Sequence, residues 1–256
     1  MQLTSPRLHK YALKGLLRVA LHDRFIVHGQ DIGRGIVCIS FDCDRDADME
    51  RIPSLIRELK DADIVTSFAL FGRMVEKYRG IVGDVLKNGH EVVNHSYSHP
   101  THFALVGPDR MKQEIESFQR LMRERYDYAP VGFRAPHLLR KYNSDFFRAL
   151  KENHLYDTSY IGSGVALVDG VIEVPLSACP EHPLVCFDYW HHFQLPIRAN
   201  LSEFFRVWET LLAKAGLTSI FLDPSLTPGD FLREMIRRVP SDRKFCRLAD
   251  VATLIA

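Results

Sequence analysis

The chain has 256 residues, of which 46% are hydrophobic and 25% charged, with a formal net charge of +1. That is the composition of an ordinary globular protein, without the net charge or the basic, aromatic-interleaved stripe of a nucleic-acid binder. No apolar run approaches the roughly eighteen residues that span a bilayer, and the start, MQLTSPRLHKYALKGLLRVALHD, lacks the apolar stretch and cleavage site of a signal peptide.

Residues 7–21 come first, with Arg7, Lys10, Lys14 and Arg18 along one face of a helical pattern and Leu8, Leu13, Leu16 and Leu17 on the other. The first reading is a helix packed on the domain body; the alternative is a helix making membrane-surface contact. Strand-like and helix-like segments then alternate. IVCISF reads as a strand, and MERIPSLIRELKDA as a helix because Ile52, Leu55, Ile56 and Leu59 recur at helical spacing. DIVTSFALF is a strand, VGDVLKNG the end of a helix stopped at Asn88-Gly89, and HEVVNH a third strand. PDRMKQEIESFQRLMRERY is a long amphipathic helix with Pro108 near its start. PVGFRAP is a short strand, NSDFFRALKENH a helix capped by Asn143 or Ser144, and VIEVPL another strand. The helix NLSEFFRVWETLLAKAG, the strand LTSIFLD and a helix within PGDFLREMIRRV follow. With no repeat or linker, residues 31–256 read as one α/β domain behind an extension of residues 1–30. The alternation calls for a parallel sheet, and closure into a barrel suits the length.

Five cysteines (Cys38, Cys43, Cys179, Cys186 and Cys246) contain no CxxC pair. This argues against a disulfide framework or a cysteine-ligated zinc site and points to the reducing cytoplasm.

The chemistry collects where strands end. CISFDCDRDADME sets Asp42, Asp44, Asp46 and Asp48 within seven positions after an apolar strand. Carboxylates so crowded repel one another and are costly to desolvate, so the cluster calls for a counter-charge. NHSYSHP spaces His95 and His99 four apart. On one helical turn that spacing aims both imidazoles at one point, as a two-histidine metal site requires; the plain alternative is an accidental pair. The aspartates favour the metal, with Asp44 as third ligand and positions left for water and substrate. Zn2+ is the expected ion, and the same donors admit iron, cobalt or nickel. Asp42 shares a strand face with Asp44 and is placed to take a proton from water there. Arg134, in GFRAPH, is placed to hold a carboxylate by a bidentate pair. Asp46 and Asp48 are expected as solvated loop or helix-capping groups.

The order SFDCD, NHSYSHP, GFRAP, LYDTSY and IEVPLS, from about Ile36 to about Pro224, resembles the polysaccharide deacetylase (NodB-homology) family of carbohydrate esterases. The resemblance implies a distorted (β/α) barrel of fewer than eight strands. It implies metal-dependent removal of an acyl group, acetyl or formyl, from an amino sugar or a glycan- or lipid-linked sugar, or hydrolysis of another small amide. It also implies Asp42 as general base, Asp44, His95 and His99 as metal ligands, and Arg134 as the brace of the base. The D-x-D spacing resembles the family's intracellular branch.

Two positions depart from the family pattern. The aromatic residue after Pro136 is here His137, whose backbone N–H still serves the implied oxyanion hole. The late LHP, source of a histidine general acid, reads FLDP, with Asp223 in that place. A carboxyl of ordinary pKa is a poor acid at neutral pH. Three readings stay open: burial and neighbouring carboxylates raise Asp223, or His191 or His192 in YWHHF replaces it, or the chain is a non-catalytic metal- or sugar-binding descendant.

Overall fold

A computed structural model of the chain describes residues 24–255 apart from 34, 154, 182, 188–200, 215 and 228. The helical pattern at 7–21 and the histidines His182, His191 and His192 lie outside the described residues.

The strands in chain order are β1 (Ile26–His28), β2 (Ile36–Cys43), β3 (Ser67–Leu70), β4 (Glu91–Asn94), β5 (Gly132–Phe133) and β6 (Tyr156–Asp157). They continue with β7 (Ile161–Ser163), β8 (Ala166–Val168), β9 (Val171–Glu173), β10 (Leu176–Ser177), β11 (Leu217–Leu222) and β12 (Lys244–Phe245). The central sheet runs β11-β2-β3-β4-β5-β6-β9-β8, with β12 also on β2. All its pairs are parallel except β8 with β9. Every residue of β2 is buried, as a strand covered on both faces demands. The remaining strands form a small parallel sheet, β1-β7-β10. Its β10 reaches β11, where Ser219 N–H donates to Ser177 Oγ at 2.9 Å. The result is a curled, mixed α/β half-barrel, of the distorted-barrel type that the resemblance implies.

Among the described residues the central sheet counts nine strands, more than the fewer than eight expected. The excess is peripheral: β8 folds back antiparallel on β9, and two-residue β12 pairs only with the start of β2. Residues 26–30, assigned by sequence to the extension, pair with β7 and Val165.

Helices Asp46–Asp61, Arg79–Lys87, Pro108–Tyr126 and Ser144–Glu152 connect successive strands, and Asn143 Oδ1 caps the last by accepting from Phe146 N–H at 3.1 Å. Helix Leu201–Leu212 buries Phe204, Val207, Trp208 and Leu211 against Phe187 and Phe231, and Trp208 Nε1 donates to Met235 O at 3.1 Å, satisfying its one polar group.

One register row positions the site. Cys43 pairs with Leu70, Leu70 with Asn94, Asn94 with Phe133, Phe133 with Asp157, and Asp157 with Glu173. Asp44, His95, Arg134 and Thr158 are therefore each the next residue past one line across the sheet. Because side chains alternate, these four share a face with Asp42 and Ser40. Leu222 pairs with Phe41, which brings Asp223 alongside Asp42 on that same face.

Candidate metal centre and active site

Asp44 Oδ1 lies 3.4 Å from His95 Nε2 and 3.2 Å from His99 Nε2. All three atoms are buried and have no hydrogen-bond partner. His95 Nδ1 lies 2.7 Å from the Arg134 carbonyl oxygen. A carbonyl only accepts, so the proton sits on Nδ1 and a neutral His95 aims its Nε2 lone pair at a carboxylate lone pair. That contact is repulsive unless a proton or a cation lies between. Three ligands at 2.0–2.1 Å from a tetrahedral zinc stand about 3.3 Å apart, which matches the observed spacing. The residues present fit a divalent cation. Burial works against the Asp44 carboxylate, but the adjacent His95 and His99 imidazoles, when they carry a proton toward it, outweigh burial and hold its pKa well below the usual range. For His95 burial lowers the pKa, but Asp44 outweighs it and raises the value.

The histidine pair is not on a helical turn, as its spacing suggested. Residues 95–99 form a loop, with Ser96 and His99 at positive φ (66° and 54°). The loop is held by its own polar groups. Ser96 N–H donates to Asn94 Oδ1 at 3.0 Å and His99 N–H to Ser96 Oγ at 3.1 Å. Buried Glu114 accepts from Tyr97 N–H, Ser98 N–H and Ser98 Oγ at 3.1, 2.7 and 2.7 Å. Gly72 completes the seat: a Cβ there would meet the Tyr97 ring at 2.3 Å.

Arg134 is fully buried, and its NH1 donates to Asp42 Oδ1 at 2.5 Å. The pair is not bidentate. The other arm, NH2, donates to Ser40 Oγ at 2.9 Å and Thr158 Oγ1 at 3.4 Å, because both hydroxyls occupy the same sheet face. Arg134 thus engages Asp42 through Oδ1. Pro136 is buried, whereas His137 and Leu138 turn outward at positive φ (59° and 58°). The turn brings the His137 ring to 5.0 Å from that of His99. Burial, then the His99 charge, lowers the His137 pKa. A groove of about 500 Å3 opens at Pro136 and His137, between residues 101–105 and 136–143, and includes the exposed Leu105 and Tyr142.

Asp223 closes the opposite side, with Arg45 NH2 4.0 Å from its carboxylate. Burial, then the charges of Asp42 and Asp48, raise its pKa to about 7. Asp46 is exposed and pairs with Lys77 at 2.8 Å. Asp48 caps its helix, but it is fully buried where solvation was the other expectation. Its Oδ2 accepts from Arg45 N–H and its Oδ1 from Ser225 N–H, each at 3.0 Å, which ties the Asp223 loop to the helix start. Ser40, Glu114, Asp157, Thr158, Ser159 and Glu173 were not singled out from sequence. The available signal was that LYDTSY and IEVPLS also place polar groups at strand ends.

Fold and site together define an α/β half-barrel with an Asp-His-His cluster, able to hold a divalent cation, at the carboxyl ends of its strands. Residues 30–156 match the family model described as polysaccharide deacetylase. A Bacillus cereus peptidoglycan-N-acetylglucosamine deacetylase is 32% identical over 90 residues, 35% of this chain but only 32% of that protein's length. A solved Mycobacterium smegmatis structure described as a polysaccharide deacetylase superposes with a TM-score of 0.72 at 18% identity, covering 91% of this chain and 94% of that one. A carbohydrate esterase family 4 pseudoenzyme from Bacillus anthracis superposes at 0.63 and 14% identity, covering 90% and 69%. At these identities the structures speak for the fold alone. The likeness to the polysaccharide deacetylase family thus rests on residues 30–156, just under half of the chain, and the solved structures share its fold.

Proposed function

We propose that the protein is a metal-dependent hydrolase that removes an N-acyl group, acetyl or formyl, from an amino sugar within a glycan or on a lipid carrier. The observation that carries this reading is the convergence of three buried, partnerless donor atoms of Asp44, His95 and His99 beside Asp42 on one sheet face. A divalent cation held there supplies Lewis acidity toward an acyl carbonyl and acidifies water. Asp42 takes the proton of the attacking water at Oδ2 while Arg134 holds Oδ1. The N–H of His137 faces the developing oxyanion, and the 136–143 side of the groove receives the sugar.

Asp223 supplies the proton that lets the amine leave. A carboxyl with a pKa of about 7 is half protonated at neutral pH, in the range a general acid needs. The family relative that deacetylates peptidoglycan N-acetylglucosamine favours an N-acetyl substrate over other amides. Release of acetate or formate from N-acylated chitooligosaccharides and peptidoglycan fragments, with and without chelator, tests the reading. Turnover unaffected by chelation, or none with any acyl sugar and added zinc, cobalt or nickel, would sink it. The second reading is a non-catalytic descendant that binds metal and glycan; metal-loaded protein that binds but never releases acid is its signature.

Asp223→Asn is expected to lose about 100-fold or more in kcat, the lower end for a positioned proton donor. Wild-type kcat should fall as pH rises through Asp223's value, and Asp223→His should retain activity. The stability effect has the opposite sign. The folded pKa is raised from 3.8 to about 7, so Asp223's contribution is full below 3.8 and is lost as pH rises through 7. Metal-free Asp223→Asn should therefore gain on wild type in denaturant titrations as pH rises. Unchanged kcat in Asp223→Asn would remove it from the reaction.

A further inference from the structure

Behind the metal centre lies a second pair of carboxyls that the reaction does not use. Asp157 and Glu173 are register partners on adjacent parallel strands, and both are fully buried. Each has one oxygen with no partner among the described atoms: Asp157 Oδ2 and Glu173 Oε2. Their other oxygens are occupied. Glu173 Oε1 accepts from Tyr160 N–H at 3.3 Å, and Asp157 Oδ1 accepts from Ser159 Oγ at 2.5 Å.

The direction of the hydrogen bonds is fixed. Ser159 Oγ accepts from Ala135 N–H at 2.8 Å, so the serine's own proton goes to Asp157 Oδ1. Asp157 Oδ1 is then an acceptor, and one proton carried on Glu173, whose side chain interacts with that of Asp157, would satisfy the two idle oxygens, Oδ2 and Oε2, together. Burial, then the charge of Asp157, raises the Glu173 carboxyl well above its usual range. Burial also raises Asp157, although the bonds from Glu173 and Ser159 pull it back.

The chain of bonds ends at the metal ligand. Ala135 N–H belongs to the same peptide plane as the Arg134 carbonyl, and that carbonyl accepts from His95 Nδ1–H at 2.7 Å. An amide whose N–H donates to a strong acceptor becomes a stronger acceptor at its oxygen. A stronger acceptor on Nδ1–H fixes the imidazole tautomer and makes Nε2 a better ligand.

We propose that Asp157 and Glu173 share one proton, and that with Ser159 they form a positioning relay that acts on His95 through the Arg134–Ala135 peptide. The relay touches neither substrate nor cation and acts only through the Arg134–Ala135 peptide on His95. It explains why a carboxyl pair is kept in the barrel wall, where apolar residues would cost less to bury.

The inference rests on the proposed role of His95 as a ligand, so the test reads the metal-free protein as well. The downfield imidazole N–H proton of His95, identified by its loss in His95→Gln, reports the bond to Arg134. In Ser159→Ala it should move upfield, and Co2+ should bind roughly 10–100-fold more weakly, the usual cost of losing an outer-shell partner, with a shifted visible spectrum. Glu173→Gln keeps the donor to Asp157 and should match wild type in both readouts. Glu173→Leu removes the donor and should behave like Ser159→Ala. An unmoved His95 signal in a folded Ser159→Ala, or a Glu173→Gln variant as impaired as Glu173→Leu, would overturn the relay. Wild type that binds no Co2+ would refute the metal role of His95, while the proton signal would still decide the relay.

Discussion

Replacing His95 with alanine is expected to strip the protein of its divalent ion and of all metal-dependent hydrolysis. The loss should exceed the roughly 10–100-fold that follows removal of an outer-shell partner, because one of three protein donors is gone. The pH dependence separates this from a general loss of structure. In the metal-free protein Asp44 lies well below its ordinary 3.8 and His95 above its ordinary 6.5. A depressed carboxyl contributes stability that is present above 3.8 and lost as pH falls through its folded value. A raised imidazole contributes stability that is full below 6.5 and lost as pH rises through its folded value. The unloaded pair therefore stabilises most between 3.8 and 6.5. A cation needs the other state, with His95 neutral, so its affinity should climb as pH rises through the raised value, with protons released on binding. His95→Ala should accordingly cost unloaded protein more stability at about pH 5 than at about pH 9, as read by denaturant titration. Elemental analysis of wild type, His95→Ala and His99→Ala checks the metal; equal content in all three would assign it elsewhere.

The candidate site was legible as a cluster because it sits at strand ends, and the strands were legible because their apolar runs are unambiguous. IVCISF and LTSIFLD each pair as continuous parallel strands, so the residues that end them, Asp42, Asp44 and Asp223, arrive together. The loop carrying His95 and His99 was misread for an identifiable reason. A spacing of four fits a helical turn, whereas the chain reaches the same convergence with two positive-φ residues and a buried glutamate. Nothing local announces Glu114. It stands in a long amphipathic helix where Glu is ordinarily a solvated residue, and only its tertiary position beside Ser98 gives it a role. Asp157 and Glu173 were hidden similarly: their relation is a strand register, and periodicity does not reveal which strands become neighbours. The second arm of Arg134 was lost to a default assumption that arginine meets carboxylate as a fork. Here two hydroxyls from β2 and the end of β6 compete for it.

Asp42→Asn is the substitution expected to reduce turnover most while leaving the metal in place. The amide has the shape of the carboxylate and can still accept from Arg134 NH1 at Oδ1, so the local geometry is kept. What it loses is the ability to take a proton from water, a step worth roughly 100- to 10,000-fold when a positioned group performs it. Metal content should be unchanged, because Asp44, His95 and His99 are untouched and Asp42 makes none of their contacts. Stability should fall, since Arg134 is fully buried and loses its anionic partner; removing one member of a buried pair costs about 3–5 kcal/mol at most sites. Here Ser40, Thr158 and the Phe221 ring, 5.7 Å from the guanidinium, still face Arg134 and reduce that cost. The combination of full metal loading, a lowered unfolding midpoint and near-zero turnover is specific to a base. A purely structural Asp42 would lower the midpoint and leave kcat per folded, metal-loaded molecule near wild type. Single-turnover release of acetate from metal-loaded enzyme distinguishes the two. Wild-type turnover in Asp42→Asn would mean that the proton goes elsewhere, with Asp223 on the same sheet face the next group to test.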